Sequence, residues 1–393
     1  MNFYNRDILH SLQQHLNRRP VTVITGLRRT GKTTLLKHLL SIFPGNNKIY
    51  LDLERLDNRE LLGEKNYDNI ISTFRARGLS DKEKMLIAID EVQLVPGCVS
   101  VIKYLYDNYD IKFIITGSSS YYIKDLFNES LSGRKKVFQL NSLNFSEFLK
   151  FKSIALNSDP LSFRYFNNAE YQRLNFYYSE YIRFGGLPEV VMAETDDEKR
   201  DILNDILGSY LNIDIKNISD IRDQKNLHIL LKMLAARVAS RLDYSKLASL
   251  TGISRTTVTN YINLLEDTFM IFRVPVLSFN PDREIVKAQK VYFTDNGILN
   301  SLAEAGSGLQ FENAVFNQLK FRGTLQYYSL KNGREIDFIL NGQTAIEVKE
   351  TGAPQDLKRL ELLAGNININ ERYLISRYPV PGFTDFVWGG DIS

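Results

Sequence analysis

The feature that most constrains this chain is a glycine-rich loop placed between an apolar strand pattern and a helical pattern. The loop, Gly26-Leu27-Arg28-Arg29-Thr30-Gly31-Lys32-Thr33, matches the spacing G-x-x-x-x-G-K-[ST] in full. The β-branched run VTVIT precedes it, and the helical pattern TTLLKHLLSIF follows it. Glycines at these positions let backbone N–H groups close around phosphate, and the positive end of the helix dipole faces the same anion. This arrangement predicts a phosphate-binding loop on a parallel α/β sheet.

The loop also carries the side chains that a nucleoside triphosphate and its metal ion require. Lys32 is expected to reach the β- and γ-phosphates, and the Thr33 hydroxyl is expected to bind Mg²⁺. Contacts with the nucleotide are predicted for Gly26, Arg29, Thr30, Gly31, Lys32, Thr33 and Thr34. ATP and Mg²⁺ are therefore the predicted cofactors.

An acidic pair follows a second buried strand pattern. The run MLIAID ends in Asp90, and Glu91 comes next. An Asp at the carboxyl end of a strand can hold the Mg²⁺ shell, and a neighbouring Glu can polarise the attacking water. Together with the phosphate loop, this pattern predicts Asp90 as a metal and nucleotide ligand and Glu91 as a catalytic residue.

Four further polar positions each admit two interpretations. At the end of the strand pattern KFIITG lie Thr116, Ser118 and Ser119, where a polar side chain either senses the γ-phosphate or satisfies an ordinary turn. Ser118 is the candidate for nucleotide binding. Arg134, in LSGRKKVFQL, either acts as a catalytic arginine finger towards a neighbouring subunit or belongs to a solvated basic run. The finger interpretation requires a homo-oligomer.

Composition bears on the compartment and on the metal. The 393-residue chain is long enough for two to four domains. Its formal net charge of +3 is too small to indicate nucleic-acid binding by itself. With Cys98 as the one cysteine and with four histidines, the chain suits a hard cation such as Mg²⁺ better than zinc. No apolar run approaches the ~20 residues needed to span a bilayer, and no signal-peptide pattern is seen. A cytoplasmic protein without membrane contact is expected.

Several segments resemble a known protein family. GLRRTGKTTLL, IDEVQ, TGSSS, LSGR with LNSLNFSEFL, and FGGLPEVV are similar to bacterial and archaeal AAA-type ATPases of the archaeal-ATPase kind. The resemblance implies ATP binding and a P-loop fold with an added strand between the nucleotide strand and the Asp-Glu strand. It also implies a winged helix and a C-terminal domain of unknown function, and it implies no particular substrate.

Strand and helix patterns change along the chain and predict four domains. Alternating strands and helices predict a P-loop ATPase core over residues 1–140, and helices without strands predict a lid over 141–224. Three helical patterns predict a winged helix-turn-helix over 225–284. Strands return after that point and predict a second, smaller α/β domain over 285–393.

The third predicted domain contains a candidate DNA-binding surface. Ser254 is expected to cap a helix whose start offers short polar groups to a major groove, namely Arg255, Thr256, Thr257, Thr259 and Asn260. Val258, Ile262 and Leu265 are expected to pack inward. Because few basic residues are present for phosphate contacts, the segment either binds DNA or serves as a lid or interaction module.

Charged residues gather again near the C-terminus. Strand alternation places Glu347 and Lys349 on one face of AIEVKE, and a neighbouring strand, EIDFIL, carries Asp337. Glu312 lies on an apolar helical stripe, where a carboxylate is costly unless it is paired or bound to metal. Adjacent strands are therefore expected to bring Asp337, Glu347 and Lys349 together.

This order of residues resembles the PD-(D/E)XK nuclease superfamily. The resemblance implies that Glu312, Asp337 and Glu347 bind a metal, and that Asp337, Glu347 and Lys349 are catalytic in phosphodiester cleavage. Ile336 stands where a proline often precedes the Asp. The alternative is a nuclease-like fold kept for binding, in which Lys349 pairs with Glu347 or Asp337.

Three functions remain open at this point. In the first, the ATPase acts on DNA or is regulated by it, and the C-terminal domain is a metal-dependent nuclease. In the second, the protein is a regulatory switch ATPase whose C-terminal domain binds a protein partner. The third, a nucleotide-gated scaffold without turnover, is disfavoured by Glu91.

Overall fold

A computed structural model describes residues 3–118, 133–155, 166–215, 224–278 and 288–392. These residues form two compact units. The first unit consists of residues 3–118, 133–141, 213–215 and 267–269. The second unit contains the other described residues.

The first unit is built on a five-stranded parallel sheet. Its strands in chain order are β1 (Val21–Thr25), β2 (Lys48–Asp52), β3 (Met85–Asp90), β4 (Ile111–Gly117) and β5 (Lys135–Gln139). The spatial order is β2-β3-β4-β1-β5. Strand β4 thus lies between the strand that leads into the glycine-rich loop and the strand that ends in Asp90, which confirms the added strand implied by the resemblance.

Helices cover both faces of this sheet. They are α1 (Leu9–Leu16), α2 (Lys32–Ile42), α3 (Leu56–Leu62), α4 (Tyr67–Ala76) and α5 (Cys98–Asn108). On one face, Val23 and Ile87 pack in a buried cluster with residues of α4 and α5. On the other face, Ile24 and Ala88 pack with residues of α1 and α2. Burial on both faces explains why these strands are unbroken apolar runs.

The second unit begins with helices. These are α6 (Phe145–Phe151), α7 (Asn168–Phe184), α8 (Pro188–Met192), α9 (Asp196–Ser209), α10 (Gln224–Ala235), α11 (Tyr244–Thr251) and α12 (Arg255–Asp267). The second of these helices ends at Gly185, whose φ of 77° favours glycine. A Cβ at Gly185 would come within 2.1 Å of the Asp295 carboxylate. The short helix α8, which follows Gly185, was not expected from the sequence.

A mixed five-stranded sheet completes the second unit. Strands β8 (Leu325–Ser329), β9 (Glu335–Leu340) and β10 (Thr344–Thr351) are antiparallel, whereas β11 (Glu371–Tyr378) and β12 (Val387–Trp388) continue in parallel. A separate antiparallel pair is formed by β6 (Ile271–Val274) and β7 (Lys290–Phe293). The remaining helices are α13 (Asn296–Leu302), α14 (Ser307–Leu319) and α15 (Pro354–Gly365).

Two buried clusters hold this mixed sheet between helices. Val315 of α14 packs in one cluster with Phe338 and Ile346, and Leu360 of α15 packs in the other with Ile336 and Ile339. Phe338 and Ile339 are neighbouring strand residues and point to opposite faces, so α14 and α15 cover opposite sides of the sheet.

The architecture confirms an α/β protein with a parallel sheet and a second, mixed-sheet domain. The first compact unit runs to Asn141, whereas the finer division into lid, winged helix and C-terminal domain stays a prediction. Within the described part of the chain, no helix has both the length and the apolar character required to cross a membrane.

Candidate functional site

The glycine-rich loop connects β1 to α2 through backbone conformations that glycine favours. Gly26 has a φ of 147° and Gly31 a φ of 96°. A Cβ on Gly26 would lie 2.1 Å from the Leu140 carbonyl oxygen, so a side chain cannot be accommodated there. Gly31 is the N-cap of α2 and provides no side-chain cap, so this helix presents backbone N–H groups at its positive end. These features fit the binding of a phosphate group.

Hydrogen bonds inside the loop hold it in shape. Lys32 is 5% exposed, and its Nζ donates to the carbonyl oxygens of Gly26 and Leu27, at 2.9 Å in both cases. The Thr30 hydroxyl donates to the Leu27 carbonyl at 2.8 Å. Arg6, which was not singled out in the sequence, donates to the Thr30 carbonyl at 3.0 Å. The ammonium group of Lys32 is therefore positioned within the loop by carbonyl oxygens.

Asp90 and Glu91 lie at the carboxyl end of β3 and are held by Thr116 at the end of β4. The Thr116 hydroxyl donates to Asp90 Oδ1 and accepts a hydrogen bond of 3.1 Å from the Glu91 backbone N–H. The Tyr50 hydroxyl donates to Asp90 Oδ2 at 2.8 Å. Burial, together with the adjacent Asp90 carboxylate, raises the pKa of Tyr50, which keeps this hydroxyl a donor.

Gln93 links Glu91 to Ser118. Its Nε2 donates to Glu91 Oε2 and, at 3.0 Å, to the Ser118 hydroxyl. Gln93 lies in the short 3₁₀ helix Val92–Leu94, directly after Glu91, which has a left-handed φ of 58°. The structure therefore places Ser118 beside the acidic pair, while Ser119 lies outside the described residues.

Arg134 lies away from the phosphate loop of its own chain. Its carbonyl oxygen accepts a hydrogen bond of 2.8 Å from Val21, the first residue of β1, whereas the loop follows the last residue of that strand. Its guanidinium pairs with Asp107 at 3.0 Å. Arg134 thus has no position in the site that its own chain builds, and a role towards a neighbouring subunit stays a prediction.

The charged residues expected near the C-terminus do come together. Asp337 Oδ2 accepts a hydrogen bond of 2.9 Å from the Val348 backbone N–H, which fixes Asp337 beside β10. The ammonium group of Lys349 pairs with Glu347 at 2.7 Å. Glu312 projects from α14 with its side chain 13% exposed.

Basic groups that the sequence did not reveal pair with these carboxylates, and a hydroxyl group donates a hydrogen bond to one of them. Lys290 of β7 is 2% exposed, and its Nζ lies 3.4 Å from Glu312, 3.4 Å from Asp337 and 3.0 Å from Glu335. Arg359 of α15 pairs with Glu347 at 2.7 Å. The Tyr292 hydroxyl donates to Glu312 at 2.7 Å. We call Glu312, Glu335, Asp337, Glu347, Lys290, Lys349 and Arg359 the C-terminal charge cluster.

Burial and charge shift the pKa values within this cluster. Burial and the nearby Asp337 raise the pKa of Glu312 to about 7 and that of Glu347 to about 6. Burial by itself would lower the pKa of Lys290, but the surrounding carboxylates outweigh burial and raise it. Lys290 is therefore a charged ammonium group at the centre of the carboxylates.

The predicted metal ligands of the C-terminal charge cluster do not converge on a metal position. Among the described residues, no group of three or more His, Cys, Asp or Glu side chains could hold a metal ion. Glu347 Oε2 is buried and makes no hydrogen bond with the described residues. One orphan oxygen is too small a donor set for a hard divalent cation, which takes about six oxygen ligands. The arrangement fits protein ammonium and guanidinium groups better than a metal.

The helix-turn-helix segment has the local geometry expected of it. The Ser254 hydroxyl accepts a hydrogen bond of 3.0 Å from the Thr257 backbone N–H. Val258, Ile262 and Leu265 are each fully buried. Arg255, Thr256 and Asn260 are exposed at the beginning of α12. The polar start of this helix is therefore accessible within its own unit.

Comparison with family models identifies the domains. Residues 18–149 match the family described as "AAA domain". Residues 175–309 and 307–379 match two domains of unknown function, DUF8612 and DUF4143. The segment that matches the AAA domain contains the glycine-rich loop, Asp90 and Glu91. The expected C-terminal domain of unknown function is confirmed.

Relatives extend over most of the chain. An uncharacterized protein of Methanocaldococcus jannaschii is 28% identical over 382 residues, covering 92% of this chain and 83% of the relative. An uncharacterized protein of Haemophilus influenzae is 26% identical over 350 residues, covering 84% of this chain and 83% of the relative. A Walker-type ATPase of Pyrococcus abyssi aligns with a TM-score of 0.48 at 16% identity, covering 76% of this chain and 96% of that chain.

Proposed function

We propose that this chain, which carries an AAA domain at residues 18–149, binds and hydrolyses ATP with Mg²⁺ and acts as a regulatory switch. In this proposal the C-terminal charge cluster maintains a binding module and does not cut nucleic acid. The observation that carries the proposal is the position of Asp90 and Glu91, which Thr116 of the adjacent strand β4 holds at the edge where the glycine-rich loop begins.

Each residue of this edge has a separate task in hydrolysis. Bound Mg²⁺ would neutralise charge on the β- and γ-phosphates. Lys32 would exchange its bonds to the Gly26 and Leu27 carbonyls for bonds to phosphate oxygens. Thr33 and Asp90 would hold the shell of the ion, and Glu91 would polarise the attacking water.

The ATPase proposal is tested by phosphate release from ATP with the full chain, in Mg²⁺ and in EDTA. We expect phosphate release in Mg²⁺ and none in EDTA. ATP retained without turnover would instead support the nucleotide-gated scaffold.

Lys290 is the reason for preferring a binding module to a nuclease. A buried carboxylate needs a partner of opposite charge, and the ammonium group of Lys290 lies within 3.4 Å of Glu312 and Asp337, two of the three predicted metal ligands. Arg359 and Lys349 both pair with Oε1 of Glu347, the third. A divalent cation would have to displace these groups against charge repulsion.

Replacing Lys290 with methionine should therefore lower stability and create a dependence on divalent cations. Removing one member of a buried charge network costs about 3–5 kcal/mol, because the carboxylates lose their cation. We expect Mn²⁺ to raise the Tm of Lys290→Met markedly and to leave the Tm of the wild type unchanged. Thermal unfolding with and without Mn²⁺ is the measurement.

The matched control is Lys320→Met. Lys320 is a partly buried lysine, and it donates to the Thr294 carbonyl and to Asn317 rather than to the carboxylates of the cluster. It should be destabilised without any rescue by Mn²⁺. A rise in the Tm of the wild type with Mn²⁺, absent in Asp337→Ala, would show that the cluster accepts metal beside Lys290.

The nuclease alternative has a direct test. Plasmid and linear DNA are incubated with the wild type and with an Asp337→Ala/Lys349→Ala variant in Mg²⁺ or Mn²⁺, with and without ATP. The proposal expects no cleavage above background by either protein. Cleavage by the wild type that the variant loses would make Asp337 and Lys349 catalytic and would overturn the binding-module assignment.

Regulation by DNA is a second candidate function, favoured by the exposed polar start of α12. In a winged-helix arrangement this end would enter the major groove. Duplex binding that weakens steeply with salt, and that Arg255→Ala/Asn260→Ala reduces at least ~10-fold, would support it. Equal binding by wild type and variant would leave α12 as an interaction helix.

A further inference from the structure

We propose that Gln93 is a positioning residue for ATP hydrolysis, which orients the Glu91 carboxylate and couples it to the Ser118 hydroxyl. The inference rests on the proposed ATPase function and adds a residue to its machinery. Its starting point is one amide group that donates to both Glu91 Oε2 and Ser118 Oγ.

The backbone of Glu91 is already fixed, but its side chain needs a separate constraint. The Thr116 hydroxyl accepts a hydrogen bond from the Glu91 backbone N–H, and Glu91 has a left-handed φ of 58°. Among the described residues, Gln93 donates a hydrogen bond to the Glu91 carboxylate. An amide two residues along a 3₁₀ turn can thus set the direction of a carboxylate that must face the attacking water.

The orientation of the Gln93 amide follows from its neighbours. With Nε2 towards Glu91 and Ser118, the amide donates to two acceptors. The flipped amide would place Oε1 against the Glu91 carboxylate, and two acceptors would then repel each other. In the favoured orientation, Oε1 is buried and accepts no hydrogen bond from the described residues. The two donated hydrogen bonds therefore fix the orientation of the amide.

The same amide connects the two ends of the site. Ser118 follows β4 and is the predicted contact with the γ-phosphate, whereas Glu91 follows β3. A change in the hydrogen bonding of the Ser118 hydroxyl, when a γ-phosphate is present, would reach the Glu91 carboxylate through the Gln93 amide. Hydrolysis would then depend on Gln93 even though ATP binding does not.

The test compares Gln93→Met with the wild type, since methionine keeps the length of the side chain and removes its hydrogen bonds. We expect kcat for ATP in Mg²⁺ to fall about 100-fold, because misplacing a reacting group by about 1 Å has an effect of that size. The Kd for ATP should stay within about threefold, and the Tm should be close to that of the wild type. Gln13→Met, a partly buried glutamine of α1, is the matched control.

A double-mutant cycle separates positioning from a structural role. If Gln93 acts through Glu91, adding Gln93→Met to Glu91→Gln should change kcat less than about threefold. An equal loss in both backgrounds would show a structural role and overturn the proposal, as would an unchanged kcat in Gln93→Met. Absence of ATP turnover by the wild type would overturn the ATPase proposal and this inference together.

Discussion

Lys32→Ala is expected to lower ATP turnover by roughly 10²–10³-fold and to weaken ATP binding, since it removes the cation that stabilises the transferring phosphoryl group. Lys32 is 5% exposed and held by two loop carbonyls, which position its ammonium group within the loop. Equilibrium ATP binding and steady-state phosphate release measure the two effects.

Lys103→Ala is the control for Lys32→Ala, because Lys103 is an exposed lysine on α5 of the same unit. Its turnover should match that of the wild type. Near-normal turnover by Lys32→Ala itself would remove the glycine-rich loop from the active site.

Glu91→Gln should separate binding from hydrolysis. The substitution keeps size and hydrogen-bonding capacity but removes the carboxylate that polarises water, an effect of roughly 10²–10⁴-fold on rate. ATP should remain bound, because Lys32 and Asp90 are unchanged. Single-turnover hydrolysis, with bound ATP measured in parallel, gives the result.

The control for Glu91→Gln is Glu60→Gln, which changes an exposed carboxylate of α3. It is expected to leave hydrolysis and binding unchanged. If Glu91→Gln hydrolysed ATP at the rate of the wild type, another residue would have to polarise the attacking water. Gln93 could then not act by positioning Glu91.

Local sequence was sufficient for the glycine-rich loop and its flanking elements. The buried strands are short apolar runs, and the loop glycines have positive φ values that other residues rarely adopt, so strand, loop and helix were all visible within residues 21–42. Strand β4 was visible as the pattern KFIITG, but its place between β3 and β1 came from the family resemblance, and the observed order β3-β4-β1 confirms it. Short helices such as α8 were not predicted, because five residues carry too little periodicity to detect.

The sequence did not reveal which side chains from distant elements would meet in the site. Arg6 supports the phosphate loop from 24 residues away, and Tyr50 donates to Asp90 across 40 residues. A strand pattern states which face a residue occupies but not which strand lies beside it. Gln93 is nearer in sequence, yet its link to Ser118 depends on the packing of β3 beside β4.

The sequence by itself determined the phosphate-binding loop, the acidic pair and the hairpin that joins Asp337 to Glu347, because each depends on local periodicity and on residues close in the chain. The tertiary structure alone decided which cations meet the C-terminal carboxylates. Lys290 lies 47 residues before Asp337 and on a different sheet, so the same carboxylates indicated metal ligands in the sequence and ion pairs in the fold. Charge must be neutralised wherever it is buried, and only the packing of distant elements determines whether a metal ion or a lysine does so.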